Sequence, residues 1–166
     1  RLDIAPLGRV LADPSKEKVF HDGEYDVLIL KRDHGFEFAG LFDTRVAASA
    51  LGIQAPGLAS VLKERFGVVL DKSMQRSNWS ERPLSEKQIR YARLDTRFLL
   101  PLAREQKAEL ARVGRERIVA GECRRLERLV ASEQTFDHDE YVRLPGARRL
   151  DLQEQQNLRE LFALRD

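Results

Sequence analysis

The sequence predicts an α/β domain followed by a helical appendage. Three observations carry this. Short apolar strands and amphipathic helices alternate over the first half of the chain, the order that lays helices on a sheet. Past about Gly121 the alternation gives way to heavily charged helix and then to a stretch without period. The composition, 42% hydrophobic and 34% charged in 166 residues, is that of an ordinary globular chain with enough apolar material for one core.

Each element follows from local signals. Leu7 to Leu11 reads as a short helix ended by Asp13-Pro14, because the residue before proline is driven out of the helical region. Lys18-Val-Phe-His21 reads as a short buried strand. Gly23 turns the chain, and Glu24 to Arg32 carries Val27, Leu28 and Leu30 at helical spacing. Gly40-Leu-Phe-Asp43 is a second short strand, and Thr44 to Leu51 an alanine-rich helix closed by Gly52. Gly57 to Phe66 puts Leu58, Val61, Leu62 and Phe66 on one face, with Gly67 placed to end it.

Leu70 to Pro83 has no period and sets Lys72, Arg76, Trp79 and Arg82 among Ser, Asn and Gln. Long ordered loops of this kind commonly carry function. Ser85 then opens a helix, with Gln88 three residues later as the other half of a capping box. Ile89, Ala92 and Phe98-Leu99 supply its apolar stripe. Pro101 predicts a break between Asp95 and Pro101. Leu102 to Arg128 reads as one long charged helix, Ala131 to Gly146 as a linker, and Leu150 as the start of a last amphipathic helix carrying Leu158, Leu161, Phe162 and Leu164.

Several classes are excluded or left open. The single Cys123 rules out an internal disulfide and a cysteine-based zinc site. No apolar run approaches a membrane span, so no membrane partner is expected, and the expected setting is reducing and cytoplasmic. A net charge of +2 neither demands nor forbids nucleic acid. The chain starts at Arg1 and stops at Asp166 inside an amphipathic pattern, so both ends are expected to be cut from a longer protein.

The candidate chemistry centres on Tyr91 and Asp95, four residues apart and hence on one helix face. A phenol one turn from a carboxylate can position water beside a metal ligand; it can equally be a tyrosine bonded to a surface acid. Asp26, near the start of the helix after the first strand, can reach that face if the strands and helices alternate as predicted. Carboxylates from distant parts of a chain suit a hard divalent cation such as Mg²⁺, which keeps waters and phosphate oxygens. Two such ions ~3.5–4 Å apart serve displacement at phosphorus. Asp43, just before Thr44, reads as a helix cap, and His21 as a satisfied histidine at the edge of the core.

Four blocks carry a resemblance. His21-Asp-Gly-Glu-Tyr-Asp26-Val-Leu resembles the second exonuclease motif of the ribonuclease D family. Phe42-Asp-Thr-Arg-Val-Ala-Ala48 resembles its FDTxxAA segment. Leu70-Asp-Lys-Ser-Met-Gln-Arg-Ser-Asn-Trp79-Ser-Glu-Arg82-Pro-Leu84 resembles its LDKSxQxSDWxxRPL loop, with Asn78 where the family usually has Asp. Tyr91-x-x-x-Asp95, followed by Leu99-Leu-Pro-Leu102, resembles its third exonuclease motif. The blocks stand in the family's order and spacing over roughly residues 2 to 125, and Tyr141 to Asp166 resembles the start of the domain that ribonuclease D shares with RecQ-type helicases.

The resemblance implies a ribonuclease H-like fold, a mixed sheet with helices on both sides, and a 3′→5′ exonuclease of the DEDD superfamily in its tyrosine-containing branch. It implies residues 1–121 as the exonuclease domain without its N-terminal strands, 122–146 as a helical linker and 147–166 as the start of the C-terminal domain. Asp26 and Asp95 would be metal ligands for two divalent ions, Mg²⁺ or Mn²⁺, and Tyr91 would orient the attacking water. The substrate would be single-stranded RNA 3′ ends, of tRNA precursors in particular, with DNA as a possible substitute. Lys72, Arg76 and Arg82 would contact phosphates and Trp79 would stack on a base.

The family's first motif, Asp-x-Glu, has no counterpart, since Asp3 has no Glu two residues on. Two readings therefore stand: a metal-dependent exoribonuclease of which this piece alone is poorly active, or a non-catalytic nucleic-acid-binding module with an incomplete metal site.

Overall fold

The computed structural model describes residues 3–70, 72–130 and 140–164, the side chain of Lys72 excepted. The chain divides into two compact units, Arg1–Ala131 and Ser132–Asp166.

The first unit is built on a parallel strand pair. β1 (Lys18–Phe20) and β2 (Leu41–Asp43) pair in the register Lys18 to Leu41, Val19 to Phe42 and Phe20 to Asp43. Parallel strands need a crossover, and α2 (Glu24–His34) supplies it. Gly40 holds φ +68 just before β2, where a Cβ would meet the Lys16 carbonyl oxygen at 3.0 Å. α1 (Ala5–Ala12) precedes the pair, and α3 (Thr44–Ala50) leaves β2 directly. The mixed sheet expected from the resemblance is represented, among the described residues, by these two strands.

Two apolar clusters fix the helices. Leu11, Val27, Phe38, Leu41, Phe42 and Ala47 pack with residues of α6 (Leu99–Val113) and α7 (Glu116–Glu127). Ala48, Val61, Leu62 and Leu102 form the second cluster, which seats α4 (Leu58–Phe66) on α6, with Phe66 stacked on Phe98 at 5.8 Å. Arg65 and Glu109 pair between the same two helices.

Two expectations are corrected. The long helix over 102–128 is two helices, because Gly114 takes φ +66 and ends α6 in the left-handed region. The first compact unit also reaches beyond Gly121: Val119, Cys123 and Leu126 of α7 are core residues at 2–3% exposure. α7 in addition covers the outer edge of β2, where the Leu41 N–H donates to Glu127 Oε1 (2.8 Å) and the Asp43 N–H to Cys123 Sγ (3.4 Å).

The expected break before Pro101 falls at Phe98, between α5 (Glu86–Arg97) and α6. Pro101 is then the third residue of α6, where its missing N–H removes no helix bond.

Within the second unit, 3-10 turns at Glu140–Arg143 and Ala147–Arg149 lead to α8 (Leu152–Ala163). Asp151 and Glu154 form its capping box. Of its expected apolar side, Leu161 and Leu164 are 64% and 82% exposed, while Leu158 and Phe162 are half-buried. Residues 131–139 of the expected linker lie outside the described set. No described helix is long and apolar enough to cross a membrane.

Candidate active site

At the carboxyl end of β1 the chain turns through His21, Asp22 and Gly23 into α2, which places Asp26 in the first turn of that helix. The turn is held from below by Asp43. Its buried carboxylate, 1% exposed, accepts the N–H groups of Asp22 (3.2 Å) and Gly23 (2.8 Å), besides those of Arg45 (2.8 Å) and Val46 (3.1 Å), with which it caps α3. The cap expected of Asp43 is present, and the same side chain ties β2 to the start of α2.

α5 arrives from the other side. The Ser85–Gln88 capping box forms as expected. Of the expected apolar stripe, Phe98 packs into the second cluster while Ile89 and Ala92 are exposed, and the one buried residue of α5 is Gln88. Tyr91 and Asp95 share a face of α5, and each shifts the ionisation of the other.

These elements enclose a cavity of about 560 Å³, lined by His21, Asp26, Tyr91 and Asp95 together with Ser60 and Gln75 among others. Asp26, Tyr91 and Asp95, predicted from the sequence, are thus brought to one cavity. Loss of hydration raises the pKa of Asp95 against the lowering pull of the neighbouring Tyr91 hydroxyl. Desolvation also raises Asp26, helped by the like charges of Asp22 and Asp43, though its side chain is open to water and screening limits these effects. Desolvation and the neighbouring Asp95 raise the Tyr91 phenol, so it stays protonated.

The loop residues are placed differently. Lys72 opens a 3-10 turn, Lys72–Met74, and its side chain lies outside the described set. Arg76 is exposed and has no ion pair among the described residues. Arg82 donates from Nη1 to the carbonyls of Trp79 and Glu81, both at 2.8 Å. Trp79 packs on Tyr91, ring centroids 6.0 Å apart and tilted by 50°. Arg76, Trp79 and Arg82 do not line the cavity; Gln75 does.

Three features were not read from the sequence. The first turn of α4, from Gly57 to Ser60, faces the cavity, and Gly57 offers no side-chain cap to its N–H groups; such a turn favours an anion. Gln75 sits in an aperiodic loop, where no pattern marks which residue faces inward. His21, expected as a satisfied histidine at the edge of the core, is only half satisfied. The Thr44 hydroxyl gives its single proton to the Phe20 carbonyl (2.9 Å), so it must accept from His21 Nδ1 (2.9 Å). His21 Nε2 is left buried with no partner among the described residues, and burial lowers the pKa of the ring. Among the described residues no group of three or more His, Cys, Asp or Glu stands ready for a metal ion.

A parallel strand pair wrapped by helices, with an acid at the carboxyl end of one strand and a phenol and carboxylate on a facing helix, defines a ribonuclease H-like exonuclease core. The chain belongs to the 3′-5′ exonuclease family, whose model matches residues 2–111. It is 41% identical over 123 residues to ribonuclease D of Acidiphilium cryptum, covering 74% of this chain and 31% of that protein. It is 38% identical over 117 residues to protein RRP6-like 2 of Arabidopsis thaliana, covering 70% of this chain and 13% of that protein. The chain therefore spans less than a third of either relative. The crystal structure of the catalytic core of RRP6 from Trypanosoma brucei superposes with a TM-score of 0.85 at 31% identity, over 94% of this chain and 44% of that one.

Two further similar structures hold ligands. Brucella melitensis NrnC carries bound Mg²⁺ (27% identity, TM-score 0.67, 73% of this chain and 59% of that one). Trypanosoma brucei RNase D is in complex with RNA U12 (27% identity, TM-score 0.54, 61% of this chain and 38% of that one).

Proposed function

We propose that this chain carries part of the active site of a metal-dependent 3′→5′ exoribonuclease that hydrolyses the terminal phosphodiester of single-stranded RNA. The observation that carries the proposal is the meeting of Asp26, Tyr91 and Asp95, from α2 and α5, at one cavity.

The donor set fits a hard cation. Asp26 and Asp95 offer carboxylate oxygens in a partly desolvated cavity, and both would hold Mg²⁺ or Mn²⁺. Bound divalent ions would supply an activated water and neutralise phosphate charge. The protein's own residues do the rest. The protonated Tyr91 phenol orients the attacking water instead of removing its proton, since its pKa is raised above the ordinary tyrosine value. The uncapped first turn of α4 receives the phosphate. Arg76, with Lys72, contacts the trailing phosphates; Arg82 braces the loop as much as it contacts RNA, and Trp79 supports Tyr91 besides offering a face to a base.

Within this reading, a cytoplasmic location, tRNA 3′ ends as substrate and residues 147–166 as the start of a helicase-and-ribonuclease-D C-terminal domain are parts of the proposal. The bound Mg²⁺ of NrnC and the bound RNA of T. brucei RNase D support its metal and substrate classes.

One observation favours the second reading, a non-catalytic RNA-binding module. Two carboxylates supply only part of the charge that two cations need, and no third ligand joins them among the described residues. The test is shortening of 3′-terminal single-stranded RNA with added Mn²⁺ or Mg²⁺, with and without EDTA, on this chain and on a polypeptide that continues upstream through an Asp-x-Glu strand. The proposal expects EDTA-sensitive shortening by the longer form, little by this chain, and loss on Asp95→Asn with RNA binding kept. Binding without shortening by the longer form establishes the second reading; the same outcome on deoxyribonucleotides as on RNA makes the site a general 3′→5′ exonuclease.

A further inference from the structure

Gln88, Tyr91 and Asp95 fall at i, i+3 and i+7 on α5, along one ridge of the helix. Gln88 is the one buried residue of α5, at 6% exposure, and both ends of its amide are used. Oε1 accepts from the Ser85 N–H (2.9 Å) and the Ser85 hydroxyl (3.0 Å), which closes the capping box. Nε2 donates away from the helix, to the Asn78 carbonyl (3.0 Å) and to Ser77 Oγ (3.3 Å). A carbonyl can only accept, so the nitrogen end of the amide must face the loop.

The capping function alone does not explain glutamine. Glutamate closes a capping box equally well, but a carboxylate has nothing to donate to Asn78. The amide is the group that caps the helix with one end and holds the loop with the other. The residue after Asn78 is Trp79, whose ring lies against Tyr91 at 6.0 Å. Asn78 Oδ1 in turn holds the Ser80 N–H (3.1 Å), and Arg82 spans the Trp79 and Glu81 carbonyls. The loop is thus tied within itself and joined to α5 at Gln88 and at the Trp79–Tyr91 contact. Gln75, earlier in the same loop, lines the cavity.

We propose that Gln88 is a positioning residue for the reaction. It latches the 73–83 loop to α5, so that Trp79 packs on Tyr91 and the water-orienting phenol keeps one alignment with the cavity wall that Gln75 supplies. Gln88 acts through Asn78 and Trp79 and does not touch the substrate. The inference rests on the reading of Tyr91 and Asp95 as the reacting face.

Three variants separate the two ends of the amide. Gln88→Met removes both, Gln88→Glu keeps the acceptors and removes the donors, and Ser85→Ala weakens the cap and leaves the latch. RNA shortening is read as kcat and KM in a metal-loaded polypeptide extended upstream through an Asp-x-Glu strand. Both Gln88 variants are expected to lose about tenfold to a hundredfold in kcat, with KM changed much less, because small misalignment of reacting groups is costly. Ser85→Ala is expected to keep kcat within about twofold while unfolding at lower temperature.

A second readout needs no activity. Trp79 is the single tryptophan of this 166-residue chain. Its emission is expected to shift to the red, and its quenching by acrylamide to rise, in both Gln88 variants and not in Ser85→Ala. Unchanged Trp79 quenching in Gln88→Met overturns the latch whatever the activity. So does wild-type kcat in the Gln88 variants beside a dead Asp95→Asn. An active Asp95→Asn sinks the reading of the site, and the fluorescence then decides the latch alone.

Discussion

The carboxylate of Asp43 lies 2.8 Å from the amide nitrogen of Gly23, joining the end of β2 to the start of α2 across the sheet. The same side chain receives the N–H of Asp22, a residue held at φ +62, in the left-handed region that side chains other than glycine rarely adopt. One buried acid therefore fixes the turn from which Asp26 is presented. Asp43→Ala leaves four N–H groups without their acceptor. It is expected to cost about 3 kcal/mol in denaturant unfolding, the sum of a lost cap and unsatisfied buried donors. A loss under about 1 kcal/mol would mean that water replaces the carboxylate freely.

The acids of the cavity carry a pH signature. The pKa values of Asp26 and Asp95 are raised in the fold, so folding disfavours their charged forms. Their contribution to stability is complete below the unfolded carboxylate pKa and is lost as pH rises through the folded value. Without added metal, Asp95→Asn is therefore expected to unfold at higher temperature than the wild type near neutral pH, the gap closing in acid. A lower midpoint for Asp95→Asn near neutral pH contradicts the desolvation. With metal the order should reverse, since the charged site gains the ion's binding energy and the amide does not.

Cys123 is buried in the α7 face of the core, and burial pushes its thiol up from the ordinary value. It is expected to be silent to a thiol-specific disulfide reagent in the folded protein at mildly alkaline pH, and to react fully once urea unfolds the chain. Rapid reaction without denaturant would show α7 detached from β2.

Gly114 separates α6 from α7 with φ +66 and open space around it. Gly114→Ala meets no clash and is penalised by backbone conformation alone, at about 1 kcal/mol in urea unfolding. A gain in stability and in helical ellipticity would instead mean that one continuous helix over 102–128 is accessible after all.

Much of this was legible in the sequence because it rests on local physics. The strand–helix alternation around Val19 and Phe42 needed only apolar runs and turn residues. Tyr91 and Asp95 needed only the helical repeat, and the Ser85–Gln88 box only a three-residue offset. The break after Val113 was not legible, since a glycine within a charged helical pattern is tolerated or terminal depending on where the next turn of chain finds its packing. The burial of Cys123 and Leu126 was hidden by the arginines and glutamates around them, which lie on the solvent side of the same helix. The lone nitrogen of His21 and the seat of Trp79 on Tyr91 depend on residues far apart in the chain, and no spacing records them.

The way α7 meets β2 bears on how this sheet can be enlarged. Both N–H groups that β2 turns away from β1 are consumed by α7, one by a carboxylate and one by a thiol. An incoming strand would find no free donors on that side and a helix in its way. The pair is a ribbon with one sealed selvedge. Any further strand, from this polypeptide or from another, has to join beside β1, within reach of the turn that carries His21 and Asp26. Such a strand would lie next to Val19, Phe20 and His21, which line the cavity.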